Sequence, residues 1–379
     1  MSLPRSYAFR VDFPRRPVLE TKELADLVTT APSQDALHIA PPLKYRPRPT
    51  KTVPGTELRG TLPPEERARF VLRVPKDWNG RLVVAAASGV TDETTYDLWF
   101  SDFAVSRGYA FAATDKGVTR ALLDGDTMVM PMTAESSVRR WASRLESLIA
   151  LSRERLTALR GAAPSKVYAV GLSNGGFVAR RAAELGLVDG AVEVSGVMWR
   201  ATKGGLLREL PALLRATSRD PWDLEAVARA GFPAVDDKWK PLIDLYKLVY
   251  WESSLGLFIA DIDPAYSGPL DRYNLDARPD AVAAIKEFEN TGDLKCPLYS
   301  IAGTNDWLIT SQGHAVAYAD LVKSAGKSDL HSLELVEGAA HIDTNAETWP
   351  FVAPLMPRAH AAFLKMVARV EALEVSGRP

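Results

Sequence analysis

The stretch Val167-Tyr168-Ala169-Val170-Gly171-Leu172-Ser173-Asn174-Gly175-Gly176 runs from an apolar segment rich in strand formers straight into a glycine-flanked serine. Val167 to Val170 reads as a short, buried central strand, entered from the loop Gly161-Ala162-Ala163-Pro164 and left through Gly171. Beyond the serine, Phe177, Val178, Ala182 and Leu185 recur at helical spacing among Arg180, Arg181 and Glu184, and Gly186 supplies a stop. The spelling Gly-x-Ser-x-Gly alone decides little, because ordinary glycine and serine usage produces it by chance in about one chain in ten of this length. The context decides more. On a tight turn between strand and helix a serine hydroxyl points outward, and flanking residues without a Cβ let strand and helix approach each other. The competing reading is a glycine-rich turn whose serine caps the helix.

A serine hydroxyl is a poor nucleophile until a base removes its proton, so the reading requires a histidine elsewhere in the chain. Five are available. His38 lies in a proline-rich N-terminal segment, His314 on an expected helix, His331 at the mouth of a strand and His360 within a C-terminal helical pattern. These four are expected to be surface or packing residues. His341 differs, because it follows the strand-like Leu333-Glu334-Leu335-Val336 and sits in the loop Glu337-Gly338-Ala339-Ala340-His341 before the last helix. An imidazole needs a carboxylate to fix its tautomer. Asp306 closes the segment Pro297-Leu298-Tyr299-Ser300-Ile301-Ala302-Gly303-Thr304-Asn305-Asp306, an apolar strand and a glycine-containing loop, which places it at the strand's C-terminal end. Catalytic groups in open parallel sheets gather at that edge, although an aspartate there can also cap a helix. The chain order Ser173, Asp306, His341 is that of α/β-hydrolases and not that of chymotrypsin or subtilisin.

A developing oxyanion needs backbone N–H donors. Asn174, the residue after the serine, supplies one candidate amide. The other is expected after an early strand, where Arg81-Leu82-Val83-Val84-Ala85-Ala86-Ala87 ends in Ser88-Gly89-Val90 and points to the Val90 N–H, with Gly89 allowing the turn.

Short strings along the chain carry a resemblance. Trp78-Asn79-Gly80-Arg81-Leu82-Val83, then Ser106-Arg107-Gly108-Tyr109-Ala110 leading to Thr114-Asp115-Lys116-Gly117, then Gly171-Leu172-Ser173-Asn174-Gly175-Gly176, are similar to patterns of tannases, feruloyl esterases and hydroxybutyrate-oligomer hydrolases. The chain therefore resembles an α/β-hydrolase-fold serine esterase, with core motifs spread from about residue 57 to 371. The resemblance implies a mostly parallel central sheet with helices on both faces and an inserted helical cap. It also implies hydrolysis of carboxylic esters through an acyl-enzyme, with no cofactor and no metal. In tannases and feruloyl esterases a cysteine commonly precedes the serine and pairs with one after the histidine. Leu172 and Ile342 occupy those places, so that disulfide cannot form here. An amidase, peptidase or acyltransferase using the same three side chains, or a non-catalytic binding module on the same fold, are the alternative readings.

Composition fits a folded domain of this kind. The chain has 379 residues, with 46 Lys plus Arg against 47 Asp plus Glu, and the two signs are interspersed. No basic stripe suggests nucleic acid and no charge block suggests a tail. The single cysteine, Cys296, excludes an intramolecular disulfide and multi-cysteine metal motifs, and is expected to pack at a strand entrance. No apolar run reaches the length of a membrane span. The N-terminus shows no signal-peptide hydrophobic region, from which a cytoplasmic protein is expected, or a secreted one if a leader was removed. The expected partner is a small-molecule or oligomeric ester; the sequence assigns no oligomeric state.

Residues 1–54 are proline-rich, including Pro14-Arg15-Arg16-Pro17 and Pro41-Pro42, and read as an arm wrapped on the body. Strand-like runs follow near Glu57 to Leu62, Ala68 to Val74, Leu82 to Ala87 and Tyr109 to Thr114, with Asn79-Gly80 read as a hairpin turn. Val138, Trp141, Leu145, Leu148, Leu156 and Leu159 mark a helix ended by Gly161, and Ala191 to Val194 another strand. This alternation implies a parallel sheet covered on both faces. The core is thus expected to span 55–198 and 290–379. Over 199–289 the alternation stops and the chain becomes helical and aromatic, as a cap would. Its Trp199, Trp222, Trp239, Tyr246, Tyr250 and Trp251 are candidates to line a pocket, Trp199 and Trp251 foremost. Glu252, Asp261 and Asp263 lack histidine partners and do not suggest a metal.

Overall fold

A computed structural model of the chain describes residues 19–47, 49–63, 68–118, 122–124, 127–129, 136–218, 223–233 and 236–375. The proline-rich Pro14 to Pro17 and Trp222 lie outside the described residues.

The apolar runs read from the sequence form one nine-stranded sheet. In chain order its strands are β1 (Leu19–Leu24), β2 (Gly55–Thr61), β3 (Arg69–Pro75), β4 (Arg81–Ala86) and β5 (Ala110–Thr114), followed, after a separate antiparallel ribbon of β6 (Leu122–Asp124) and β7 (Thr127–Val129), by β8 (Lys166–Leu172), β9 (Gly190–Val194), β10 (Leu298–Gly303) and β11 (His331–Val336). Their spatial order is β1-β2-β3-β5-β4-β8-β9-β10-β11. The first four in that order pair antiparallel, and every pair from β5 to β11 is parallel. One expectation is corrected by this topology. Asn79-Gly80 does turn the chain, with Gly80 at φ 81°, but β5 lies between β3 and β4, so the turn closes no hairpin.

The helices are α1 (Gln34–Ile39), α2 (Asp102–Val105), α3 (Trp141–Arg160), α4 (Asn174–Leu185), α5 (Leu206–Ala216), α6 (Leu224–Arg229), α7 (Lys240–Tyr246), α8 (Glu252–Ile262), α9 (Pro279–Lys286), α10 (Ala317–Ser324), α11 (Asn345–Thr348) and α12 (Met356–Val375). Strand alternation sorts the core into two layers. Leu82, Val84, Ala110, Ala112, Val167 and Ala169 face the layer of Trp141, Leu145, Leu148 and Phe177 from α3 and α4. Val83, Ala85, Phe111, Ala113, Tyr168 and Val170 face Trp99, Phe103, Phe363 and Met366 from the α2 region and α12. Helices therefore cover both faces, as parallel strands buried on two sides require. The segment between β9 and β10 carries α5 to α9. Cys296, just before β10, is buried. No helix among the described residues is long and apolar enough to cross a membrane.

Among the described residues, three other than glycine adopt positive φ: Lys116, Ser173 and Ser195. They stand just beyond the C-terminal ends of β5, β8 and β9 respectively. Such backbone costs on the order of 1–3 kcal/mol per residue and persists only where packing imposes it. Its concentration along one edge of the sheet marks that edge as the place to seek chemistry.

Candidate active site

Ser173 occupies the turn between β8 and α4 with φ 57° and ψ −120°. The glycines around it are required sterically. A Cβ on Gly171 would run into the Gly175 carbonyl, one on Gly175 into the Ala86 carbonyl and the Tyr96 hydroxyl, and one on Gly176 would lie 2.8 Å from the Gly196 Cα. The strained turn is held from several sides. The Ser173 N–H donates to the Val194 carbonyl at 2.9 Å, its carbonyl accepts from Phe177 and Val197, and the Leu172 N–H donates to the Tyr96 hydroxyl at 2.9 Å. Burial raises the Tyr96 phenol well above its ordinary value, so it stays protonated. Behind α4, Arg180 pairs with Glu193 at 2.7 Å with both side chains fully buried, and the other Glu193 oxygen accepts the Gly196 N–H at 2.9 Å. This fastens the helix to the end of β9.

Asp306 follows β10 and is fully buried. One oxygen accepts the N–H groups of Leu308 and Ile309 at 2.9 and 2.8 Å; the other lies 2.7 Å from His341 Nδ1. A carboxylate only accepts, so Nδ1 carries the proton and Nε2 is left with a free lone pair. The next helical segment, Ser311–Val316, is capped by Thr310, so the first oxygen ties the loop after β10 and caps no helix, while the second engages the histidine. His341 is held on its main chain by the Tyr246 hydroxyl, which accepts its N–H at 3.3 Å and the Asn345 amide at 2.9 Å. Burial, with the Asp306 carboxylate nearby, raises the Tyr246 phenol well above its ordinary value. Asp343, two residues on, accepts the Leu355 and Met356 N–H groups at the start of α12, and burial raises its carboxyl to about 6.

Ser173, Asn174, Val90 and His341 all line one cavity of about 110 Å³. The turn Ser88 to Thr91 shapes its rim: Gly89 has φ 46°, and the Thr91 N–H and hydroxyl both return to the Ser88 carbonyl at 3.2 and 2.6 Å. Asn174 Nδ2 reaches the Gly89 carbonyl at 3.3 Å, which ties this turn to the first residue of α4. Behind the turn, the buried Lys116 ammonium donates to the Ala87 carbonyl and lies 5.2 Å from the Trp141 ring centre. Leu206, Leu257, Phe258, Leu308 and Ile309 form the apolar wall. Leu172 and Ile342 also line the cavity and belong to one buried cluster.

The aromatic residues between β9 and β10 divide. Tyr246 and Tyr250 line the cavity, but Trp199 and Trp251 do not. Trp199 packs edge-on against Phe258 and Phe288, and Trp251 donates its indole N–H to the Trp307 carbonyl at 2.7 Å; both are core. Trp239 stacks edge-on with Phe351. Large aromatics bury the most area per residue, so packing claims them before a cavity does. Asp263 pairs with Arg278 at 2.6 Å and Asp261 accepts the Val138 N–H at 2.9 Å; no metal-holding cluster occurs among the described residues.

Of the remaining histidines, His360 stacks on Phe103 at 4.0 Å, His331 meets the Ser300 hydroxyl at 2.9 Å and His314 accepts the Met198 N–H at 2.8 Å, all packing roles. His38 is exposed, as expected of a surface residue, and it also lines the cavity with Ile39. The sequence carried a local signal, a Ser33-capped helix, but nothing that showed where the helix docks.

No protein-family model matches the chain, and no curated protein matches its sequence. Solved structures do. Feruloyl esterase B from Aspergillus oryzae superposes with a TM-score of 0.59 at 12% identity, covering 87% of this chain and 81% of that one. An esterase from Aspergillus oryzae gives 0.59 at 10% identity, with 86% and 80% covered. A rice cell wall degrading esterase from Xanthomonas oryzae gives 0.51 at 13% identity, with 84% and 92% covered. The chain shares their α/β-hydrolase fold.

Proposed function

We propose that the protein is a serine hydrolase of carboxylic esters. The observation that carries this reading is the sharing of one cavity by a serine on a left-handed strand–helix turn and a histidine whose Nδ1–H is engaged by a buried carboxylate. In this reading Ser173 Oγ attacks the ester carbonyl while His341 Nε2 takes its proton. The carbonyl π-electrons move onto oxygen, and the N–H groups of Asn174 and Val90 donate hydrogen bonds to the resulting oxyanion. Collapse expels the alcohol, which takes the proton from His341, and leaves the acyl group on Ser173. Water, deprotonated by the same imidazole, releases the acid and restores the serine. Asp306 stays ionised and offsets the imidazolium charge.

The fold shared with esterases supports the class and leaves the substrate to the cavity. Its apolar wall and volume of about 110 Å³, below the roughly 150 Å³ of an apolar cavity that accepts benzene, suit a compact acyl group. Residues 199–289 act in this reading as a helical cap that supplies Leu206, Leu257 and Phe258 of the wall, on a core of 55–198 and 290–379. Ser173→Ala should leave a folded protein that no longer reacts with a fluorophosphonate and whose turnover of p-nitrophenyl butyrate falls by roughly 10³-fold or more. Undiminished turnover in that variant refutes the reading.

A further inference from the structure

His38 stands out because the N-terminal segment that bears it is fastened to both loops that carry the candidate chemistry. At one end of α1 the Ser33 hydroxyl accepts the Ala36 N–H at 3.0 Å and meets the Thr94 hydroxyl at 2.7 Å, while the Asp35 carboxylate accepts the Asp92 N–H at 2.9 Å. Asp92 and Thr94 directly follow the turn Ser88 to Thr91. At the other end the Thr344 hydroxyl, three residues beyond His341, donates to the His38 carbonyl at 2.5 Å. Ile39 is buried in the layer beneath. The backbone at 38 is therefore fixed from two sides and delivers its imidazole to the cavity mouth.

There the ring meets Tyr250, with His38 Nε2 3.3 Å from the phenol oxygen and ring centres 6.3 Å apart. At that length the bond is weak. Two other hydroxyls of the cavity are committed: Ser253 donates to the Val249 carbonyl at 2.5 Å and Thr91 to the Ser88 carbonyl. The imidazole and phenol stand at the rim with hydrogen-bonding capacity to offer a ligand, beside the Ser88 and Ser254 hydroxyls that also line the cavity. The phenol is uncharged near neutral pH, and the imidazole is shifted toward its neutral form. Burial pushes the Tyr250 phenol up to about 12. Burial and the nearby His341 hold the His38 imidazole below its ordinary value against the opposing pull of Asp35. A neutral imidazole beside a protonated phenol offers one donor and one acceptor, which match a hydroxyl and not a carboxylate or an ammonium.

We propose that His38, with Tyr250, is a specificity-determining residue that hydrogen-bonds an uncharged polar group on the ester while the apolar wall holds the rest. This rests on the serine-hydrolase reading and adds to it a contact supplied by the N-terminal segment.

The test uses two ester pairs that differ by one methyl-to-hydroxyl exchange. Ethyl butyrate against ethyl 3-hydroxypropanoate probes the acyl side, and propyl butyrate against 2-hydroxyethyl butyrate the alcohol side, each followed by acid release at constant pH. In His38→Phe the ratio of kcat/KM for hydroxylated over methyl ester should fall about 10-fold in one of the pairs, the worth of one good hydrogen bond. The loss should lie in KM and be partly restored in His38→Gln. An unchanged ratio in both pairs, or equal losses on all four esters, overturns the proposal. Fluorophosphonate labelling of the unaltered protein separates the two readings: labelling at Ser173 with an unmoved ratio rejects the His38 role alone, and absence of labelling rejects both.

Discussion

From Lys166 to Leu185 one continuous stretch supplies the strand, the strained turn and the helix that present Ser173, whereas the wall facing it is gathered from the α1 segment, the helices between β9 and β10, and the loops after β10 and β11. The first region is fixed by backbone sterics, since three glycines each lack room for a methyl group. The second is fixed by side-chain contacts between segments far apart in the chain, such as Thr344 on His38 and Tyr246 on His341. A site assembled in this way separates two kinds of sensitivity. Changes at the turn and at its proposed proton relay should act on all substrates, and changes in the wall on some.

The largest effect is expected where the two regions meet. In Asp306→Asn the amide oxygen can still accept from Leu308 and Ile309, so the loop keeps its shape. The amide nitrogen then faces His341 Nδ1 as a donor, which drives the ring proton to Nε2 and removes the base. Ester turnover should fall about 10⁴-fold with little change in melting temperature. A loss below tenfold would mean that the Asp306 and His341 contact is structural only, and the contrast between the regions would lose its chemical side.

These two regions also differ in how far the sequence discloses them. The strand–turn–helix unit is legible because strand propensity, glycine placement and helical period all act within a few residues. Asp306 and His341 stand out because each follows a strand-like run, and topology then carries strand ends to one edge. Sheet order is not local, and for that reason Asn79-Gly80 reads as a hairpin although β5 separates the strands it joins. The wall is the least legible part. Trp199 and Trp251 look like pocket residues by type but are drawn into the core, while His38 looks like a bystander until Thr344, Asp92 and Thr94 hold its segment in place.

A second, smaller effect tests the steric side. In Gly175→Ala the new methyl group would enter the Ala86 carbonyl and the Tyr96 hydroxyl, neither of which is the free end of a flexible chain. Stability should drop by about 1–3 kcal/mol, read by urea unfolding, and fluorophosphonate labelling should fall with it because the turn must shift. Gly89→Ala is the companion measurement. No atom lies within 4 Å of the added carbon there, so only the strain of φ 46° remains, and its cost should be about 1 kcal/mol. Equal losses in the two variants would show that the turn is not held by its packing.

The last expected effect concerns charge behind the rim. Lys116 is fully buried, and burial lowers its ammonium from 10.5 to about 7, partly opposed by Asp115. The folded protein therefore holds this proton less tightly than the unfolded chain. Below about pH 7 both forms carry it and the burial penalty is full. Between about 7 and 10.5 the unfolded chain binds more protons, so the contribution of this group to stability improves as pH rises and is lost again as pH falls through the folded value. In Lys116→Met the term vanishes. Relative to that variant, the unaltered protein should gain on the order of 2 kcal/mol in urea unfolding between pH 7 and pH 9.5, other groups cancelling in the difference. A difference independent of pH would place the ammonium in contact with water or a counter-charge, and the rim turn that it braces through Ala87 would then be less rigid than the strained serine turn it faces.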